Sequence, residues 1–350
     1  MTAEPSTRVM TVAPKALVEA VRCLRAGGVV AFPTETVYGL GADATNPKAI
    51  ARLYDAKGRP VFNPLIAHVR DAAAARGLGI LDPVACRLAE AFWPGPLTLV
   101  VPRQTDWPVA ELATSGLTTI ALRVPAHTVA RDLLAAFGGP IVAPSANRSG
   151  HVSPTTAQHV LTDLRGRIDL VLDGGPSPLG LESTIVACIG KPTLLRPGGL
   201  PRTDIERVLG HSLADSPRSA ENAKHGEAPL APGQLPTHYA PRTPLRLNAR
   251  TVDIGEALMA FGEPVFSSGD RAVSVLNLSP GGDMMEAAAN LFSYLRSLDA
   301  LGASAIAVMP IPQIGLGEAI NDGLQRAAAP RPDETPQLPR YNPLKNEHDV

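Results

Sequence analysis

Lys57 and Arg59 stand on either side of a glycine, and the residues around them carry the most chemistry in this chain. Upstream lies Pro33-Thr34-Glu35-Thr36-Val37-Tyr38-Gly39-Leu40-Gly41; downstream follow Arg59-Pro60 and Asn63-Pro64-Leu65. The apolar run from Val29 to Phe32 reads as a buried strand. It empties into a turn dense in hydroxyls, with a carboxylate and glycines, and the next helix returns two cations beside it. Hydroxyls and glycines at a strand end, with cations nearby, suit a polyanion such as a nucleotide. Read alone, Lys57 and Arg59 are ordinary last-turn cations that complement a helix dipole. The two X-Pro turns that follow restrain the loop, so an arginine fork there can meet phosphate oxygens with little reordering.

Other polar turns follow strand-like runs. Ala143-Pro144-Ser145-Ala146-Asn147 comes directly after Ile141-Val142, at the strand-end position where open α/β sheets hold ligands; an Asx turn or helix cap explains it equally well when read alone. Leu181-Glu182-Ser183-Thr184 follows Gly174-Gly175 and Gly180, a pattern that also fits a plain crossover turn. His68, inside Leu65-Ile66-Ala67-His68-Val69, fits a structural strand histidine. Arg123 closes Thr119-Ile120-Ala121-Leu122, and a buried strand ending in arginine calls for an anion; a ligand carboxylate or phosphate is the expected partner. No P-loop occurs. Gly39-Leu40-Gly41-Ala42-Asp43-Ala44 matches the loose dinucleotide fingerprint only weakly, since no helix opens before Asn46. No nucleophile elbow and no metal-spaced His/Cys/Glu cluster is present, so no protein-bound metal is expected.

The elements that must place these residues alternate along 12–210. Pro14 to Leu24 has helical apolar spacing and stops at Gly27-Gly28. Asn46-Pro47 and Asp82-Pro83 each read as an N-cap with a first-turn proline, the second helix ending at Trp93-Pro94-Gly95. Strands are expected at Leu65–Val69, Leu97–Val101, Thr119–Val124, Ile141–Ala143, Leu170–Leu172, Thr184–Ala187 and Thr193–Arg196. Several of these follow one another without an intervening helix, which points to a mixed twisted sheet. Residues 211–244 lose apolar periodicity and read as a long exposed linker. A small α/β domain over 245–330 is expected from strands at Pro264–Phe266, Val273–Leu278 and Ala305–Met309, with helices from Asp283 to Leu301 and from Glu318 to Ala328; its βαβ unit favours a parallel sheet. Residues 331–350 read as a proline-rich charged tail.

Composition narrows the class. The 350 residues suffice for two domains, and 45% apolar with 19% charged residues is ordinary for a soluble globular protein. A net charge of −1 supplies no global field towards nucleic acid or anionic membrane. Cys23, Cys86 and Cys188 are far apart and in apolar contexts, as buried reduced thiols are. With no leader-like apolar segment and no apolar run of membrane length, a cytoplasmic protein without membrane attachment is expected.

Taken together, Pro33-Thr34-Glu35-Thr36-Val37-Tyr38-Gly39-Leu40, Lys57-x-Arg59-Pro60, Asn63-Pro64-Leu65, Pro144-Ser145-Ala146-Asn147, Glu182-Ser183-Thr184 and Leu195-Arg196-Pro197-Gly198 resemble the Sua5/YciO/YrdC family. Pro232-Gly233 with His238-Tyr239-Ala240-Pro241 resembles the linker of its long two-domain members, and Gly315-Leu316-Gly317-Glu318-Ala319-Ile320-Asn321-Asp322 with Arg326-Ala327-Ala328 the end of their extra domain. The resemblance implies a twisted α/β fold, YrdC-like, with an open cationic cavity and a small Rossmann-like C-terminal domain. It implies threonylcarbamoyl-AMP synthase activity, in which L-threonine, bicarbonate and ATP give L-threonylcarbamoyladenylate and pyrophosphate on the way to the t6A modification of tRNA.

Lys57 and Arg59 are then the expected catalytic cations. By the resemblance, Thr36, His68, Arg123, the backbone at Ala143, and Ser183 surround threonine. Arg59, Asn63, Thr119, Ser145, Ser153 and Arg196 surround ATP, with Asn147 beside them and His238 and Tyr239 reaching in from the linker as a lid. Mg²⁺ is expected with ATP; downstream t6A transfer machinery and a weak tRNA contact are the further partners implied. The linker departs from the family, with Ala231, Gln234 and Thr237 where a serine, a methionine and a basic residue are common. Two competing readings remain from sequence: an RNA-binding module of the same fold without adenylylation, disfavoured by the charge of −1 and 4% aromatics, and a relative acting on another carbamoyl or nucleotide substrate. Threonine and serine are not ranked, because one methyl in an apolar pocket is worth only about 1–3 kcal/mol.

Overall fold

The computed structural model describes residues 6–216, 239–263 and 272–329. The first part of the chain runs β1 (Arg8–Thr11), α1 (Pro14–Arg25), β2 (Val30–Pro33), β3 (Tyr38–Asp43), α2 (Pro47–Lys57), β4 (Ile66–His68), α3 (Ala72–Arg76) and α4 (Pro83–Phe92). It continues with β5 (Leu97–Pro102), α5 (Glu111–Thr114), β6 (Thr119–Arg123), α6 (Thr128–Phe137), β7 (Ile141–Val142), α7 (Ala157–Leu164) and β8 (Leu170–Asp173). Then come β9 (Thr184–Ala187), β10 (Thr193–Arg196), α8 (Arg202–Leu209) and β11 (Ala214–Asp215). These strands form one sheet in the order β1-β8-β2-β3-β7-β4-β6-β5-β9-β10-β11. Parallel pairs such as β4 with β6 and β5 with β9 alternate with antiparallel ones such as β2 with β3 and β5 with β6, so the sheet is mixed.

Five helices of this part, α3, α5, α6, α7 and α8, were not read from the sequence; of these α6 separates β6 from β7 and α7 separates β7 from β8. α6 escapes a capping search because its N-cap is His127, whose Nδ1 accepts from the backbone of Val129 at 3.2 Å; histidine lies outside the usual Ser, Thr, Asp and Asn capping set. By contrast, Asn46 accepts from Lys48 and Ala49 to open α2, as its Asn-Pro start predicts. Segment 211–244 is not all linker either: Ala214–Asp215 adds to the sheet edge parallel to β10. Residues 217–238, which include His238, lie outside the described residues.

The sheet's two faces are dressed unequally. One face carries a large core in which Ile50, Leu53, Leu88, Val160 and Ile205 of α2, α4, α7 and α8 pack on Leu40, Leu99 and Leu122. On the other face, α1 and α6 cover Val30, Phe32, Ile141, Leu170 and Leu172. Beyond them the apolar cluster of Ile66, Val100, Ala121, Ile185, Ala187 and Leu195 contains strand residues alone. All six are buried, and Ile66 among them borders a cleft.

The remaining elements are β12 (Leu245–Arg246), β13 (Ala257–Ala260), β14 (Val275–Asn277), α9 (Met284–Asp299), β15 (Ile306–Val308) and α10 (Gly317–Ala328). Their sheet, ordered β12-β15-β13-β14, is parallel throughout, as its βαβ pattern requires. The expected strand at Pro264–Phe266 falls in residues 264–271, outside the described residues; the strand preceding β14 is Ala257–Ala260. A shared apolar cluster joins the two sheets' domains, with Val37, Val152 and Leu181 packed among Tyr239, Leu291 and Phe292. Cys23 and Cys188 are buried and Cys86 is half-buried, all free thiols.

Candidate active site

The cleft is lined by Thr34, Thr36, Val37, Gly39, Arg59, Ile66, His68, Arg123, Ala143, Pro144, Ser145, Glu182, Ser183 and Arg196. All five residues expected around threonine are among them, as are Arg59, Ser145 and Arg196 from the set expected around ATP. Strand register does much of this. β4 and β6 run parallel with His68 beside Arg123, and β5 sets Thr98 opposite Arg123 on the other side. Ser145 bridges to Gly39, which brings the Ser-x-Asn turn against the β2–β3 hairpin.

The hairpin turn is locked internally. The Thr34 hydroxyl donates to the Val37 carbonyl at 2.6 Å and lies 2.7 Å from the Thr36 hydroxyl. Between them Glu35 reaches Arg123 Nη2 at 2.6 Å and accepts from the backbone N–H of Ala126 and His127 at 3.0 and 3.3 Å. Burial alone would push the Glu35 carboxyl up; the charge and hydrogen bond of Arg123 outweigh it and hold the group below its ordinary value. Glu35 therefore supplies Arg123 with an anion from within the protein, a partner that the sequence expectation does not name. Arg123 Nη1 has no partner among the described residues and remains available in the cleft. His68 is buried beside it, and burial followed by the Arg123 charge pulls its pKa down to about 3. It is a neutral imidazole at any ordinary pH.

The opposite wall repeats the arginine–glutamate theme. Arg196 pairs with Glu182 and donates to the Ser183 carbonyl at 2.8 Å and the Ser183 hydroxyl at 3.2 Å. Glu182 also accepts from Ser153 Oγ at 2.8 Å, and Ser183 Oγ lies 2.8 Å from the Thr98 hydroxyl. Ser153 thus acts on the cleft through Glu182 and does not line it. Glu35 and Glu182 are the functional residues that the search for cations and hydroxyls passed over. Both lay inside the quoted turns, and the signal was available: a buried arginine needs a buried carboxylate.

Lys57 and Arg59 part company. Gly58 ends α2 in the left-handed region at φ 59°, a conformation that suits glycine, and the two side chains diverge from there. Lys57 Nζ donates to the carbonyls of Ser145 and Asn147 and lies under the Ser-x-Asn turn, away from the cleft lining. Of the two expected catalytic cations, Lys57 is thus placed as a clamp on the turn, one layer behind the lining. Burial, then the Arg59 charge, lowers its pKa to about 7, and an amine as well as an ammonium has the two N–H groups this clamp uses. Arg59 does line the cleft. Its Nη2 donates to the Pro64 carbonyl at 3.0 Å and its Nε to the Asn63 carbonyl at 3.3 Å. Among the described residues it has no carboxylate partner, and burial lowers its pKa to about 10.

Among the described residues five buried side-chain atoms have no hydrogen-bond partner, and three of them, Asn63 Oδ1, Thr119 Oγ1 and Asn147 Oδ1, belong to the set expected around ATP; the others are Ser177 Oγ and Arg296 Nε. Such groups cost about 1–3 kcal/mol each when left unmade. None of the three lines the cleft as it stands. Tyr239 is buried in the apolar cluster shared by the two domains, its ring 5.0 Å from that of Phe292, rather than at the cleft surface. No group of three or more His, Cys, Asp or Glu residues gathers for a metal ion among the described residues.

Comparison with known proteins gives one family for each part of the chain. The Sua5_yciO_yrdC family, described as "Telomere recombination", matches residues 22–198, and Sua5_C, "Threonylcarbamoyl-AMP synthase, C-terminal domain", matches residues 200–329. The threonylcarbamoyl-AMP synthase of Bacillus subtilis is 40% identical over 332 residues, covering 90% of this chain and 93% of its own. That of Pyrococcus abyssi is 40% identical over 321 residues, covering 88% and 92%. Among solved structures, P. abyssi Sua5 complexed with L-threonine superposes with a TM-score of 0.83 at 36% identity, covering 92% of this chain and 98% of that one. E. coli YciO, at a TM-score of 0.51 and 24% identity, shares the fold over 55% of this chain and 96% of its own.

Proposed function

Since this chain belongs to the Sua5/YciO/YrdC family and carries the Sua5 C-terminal domain, we propose that its cleft joins L-threonine, bicarbonate and ATP into L-threonylcarbamoyladenylate with release of pyrophosphate. The chain acts as a threonylcarbamoyl-AMP synthase, an enzyme that transfers an adenylyl group. The supporting observation is the meeting of Thr36, His68, Arg123, Ala143 and Ser183 with Arg59, Ser145 and Arg196 around one cavity.

The threonine amine adds to the carbon of bicarbonate with loss of water, giving a carbamate. A carbamate oxygen then attacks the α-phosphorus, and the bond to the β-phosphate bridging oxygen breaks. Two anions must be held together, so cations and donors aimed at the developing charge carry the catalysis. Arg123, oriented by Glu35, meets the threonine carboxylate through its unused Nη1. The neutral His68 and the Thr36 and Ser183 hydroxyls complete that pocket. Arg59 has no carboxylate to satisfy and faces the phosphates; Lys57 keeps the Ser145–Asn147 turn in place beneath them. Asn63, Thr119 and Asn147 hold buried, unpartnered oxygens behind the lining, which a nucleotide would meet only if the side chains turn towards it. Mg²⁺ arrives on the ATP phosphates as part of the substrate, since both Glu182 oxygens are already engaged by Ser153 and Arg196.

The RNA-module reading fares worse, because two of the three cleft arginines are already paired with carboxylates, a poor surface for a phosphate backbone. Among the described residues no helix is long and apolar enough to cross a membrane. A cytoplasmic location, handover of the product to t6A transfer machinery and a weak tRNA contact belong to the proposal. The test is pyrophosphate release with ATP, threonine and bicarbonate supplied singly and together. Release is expected only with all three; release without threonine, or none, overturns the reading.

A further inference from the structure

Besides the shared apolar cluster and the Arg202–Glu318 ion pair, the C-terminal domain reaches the loops of the cleft through α9 at two points. The backbone of Ala288 and Ala289, on α9, comes so close to Gly180 that a Cβ there would stand 2.4 Å from the Ala288 carbonyl oxygen. Further along the same helix Arg296 reaches α7, with Nη2 2.8 Å from Asp163 Oδ2 and Nη1 3.2 Å from Asp163 Oδ1. The same Nη2 donates to the Val152 carbonyl. The pair is largely buried, the side chains 14% and 6% exposed. Val152 precedes Ser153, whose hydroxyl holds Glu182, which holds Arg196. Gly180 lies two residues before Glu182. Both contacts grip the loops that carry the Ser153–Glu182–Arg196 chain, whereas the hairpin of the Glu35–Arg123 wall meets the C-terminal domain through the apolar side chain of Val37 and reaches the gripped loop only through its backbone, where the Leu179 N–H donates to the Glu35 carbonyl at 2.9 Å.

We propose that Arg296 is a positioning residue for the nucleotide side of the cleft, through which the C-terminal domain sets Ser153, Glu182 and Arg196. This rests on the synthase reading. A planar fork sets both Nη groups on a carboxylate while one also reaches a carbonyl; a lysine, a point charge on a flexible stem, does not reproduce that bidentate geometry. A residue that merely glued two domains would alter stability and every kinetic constant alike. A positioning residue alters the constant of the substrate whose wall it holds.

The experiment uses the full chain with Arg296→Gln, Arg296→Lys, Ser153→Ala and the Ser153→Ala/Arg296→Lys double variant, measuring KM for ATP and for threonine by pyrophosphate release. The expected result is a KM for ATP raised about tenfold by glutamine and about threefold by lysine, with KM for threonine within about twofold of wild type. In the Ser153→Ala background the lysine change is expected to add less than about twofold, because coupled positions are not additive. Equal shifts of both KM values, or effects that multiply in the double variant, overturn the proposal. Should the glutamine variant fail to fold, the lysine variant decides, and a wild-type KM for ATP there also overturns it. If wild type releases no threonine-dependent pyrophosphate, the synthase reading fails by itself, and ATP affinities of the same variants by calorimetry still decide the role of Arg296.

Discussion

The two walls of the cleft each hold a buried arginine–glutamate pair, yet they are anchored differently. Arg123 and Glu35 sit among β4, β5, β6 and the backbone before α6, all within one sheet and its hairpin. Arg196 and Glu182 hang on Ser153 and on loops gripped by α9 of the other domain. Arg59 belongs to neither pair and is the cleft arginine without a carboxylate among the described residues. The difference teaches that the Arg123–Glu35 geometry rests mainly on strand register, whereas the Arg196–Glu182 geometry also depends on how two domains meet; under the proposed function the first is the threonine side and the second the nucleotide side.

The strongest way to break this comparison is Arg123→Met. Removal strands the Glu35 carboxylate in a buried site, and losing one partner of such a pair costs about 3–5 kcal/mol. Denaturant unfolding is expected to show a loss of about 4 kcal/mol at pH 7, together with loss of threonine binding by calorimetry. A stable variant that still binds threonine would remove Arg123 from the site.

His68 sharpens the same wall through pH. Its pKa is about 3 in the folded chain against an ordinary 6.5. Between those values the unfolded chain binds more protons, so stability is fully present above pH 6.5 and falls as pH drops towards 3. The His68→Asn variant is expected to lack this component, a difference of about 3 kcal/mol at pH 4 relative to pH 7. Unfolding curves of both proteins across pH 7 to pH 4 check it, and parallel curves would contradict the neutral, buried imidazole.

For Arg59, both Arg59→Ala and Arg59→Lys are expected to cut turnover by at least about tenfold, or roughly 1.4 kcal/mol of transition-state stabilisation. Arg59→Ala is also expected to cost about 1–3 kcal/mol in stability, because the Asn63 and Pro64 carbonyls lose a buried donor. Rescue of turnover by lysine would restore the plain helix-terminus reading of this residue. The smallest effect is reserved for the scaffold. Asn46→Ala removes the cap whose Oδ1 accepts from Lys48 and Ala49 at 3.0 and 3.2 Å, and is expected to cost about 1 kcal/mol in stability with kcat intact. A large kcat loss there would mean that α2 frays into the Lys57–Arg59 turn.

Much of this was written in local signals. Asn46-Pro47 and Asp82-Pro83 announce helices because the cap and the proline act within a turn of the chain. The parallel C-terminal sheet follows from its βαβ pattern. The turns at 33–41, 143–147 and 181–184 could be named as ligand-facing because each combines a strand end with hydroxyls or amides. Hidden were α6, capped by a histidine, and the strand Ala257–Ala260, whose short apolar run carries no period of its own.

The amino-acid sequence by itself determined which residue types would meet: three arginines, a neutral histidine and several hydroxyls at strand ends, in a fold whose elements are set by spacing and caps. Only the tertiary structure decided how their charges are spent. Lys57 and Arg59 are two residues apart and look equivalent in the sequence, yet one clamps a backbone turn and the other faces the cleft, because Gly58 turns the chain between them. Arg123 and Arg196 find Glu35 and Glu182 at sequence separations of 88 and 14 residues. Local chemistry states that a buried cation needs an anion, but which anion reaches it is a matter of strand register and domain contact, and those are properties of the whole chain.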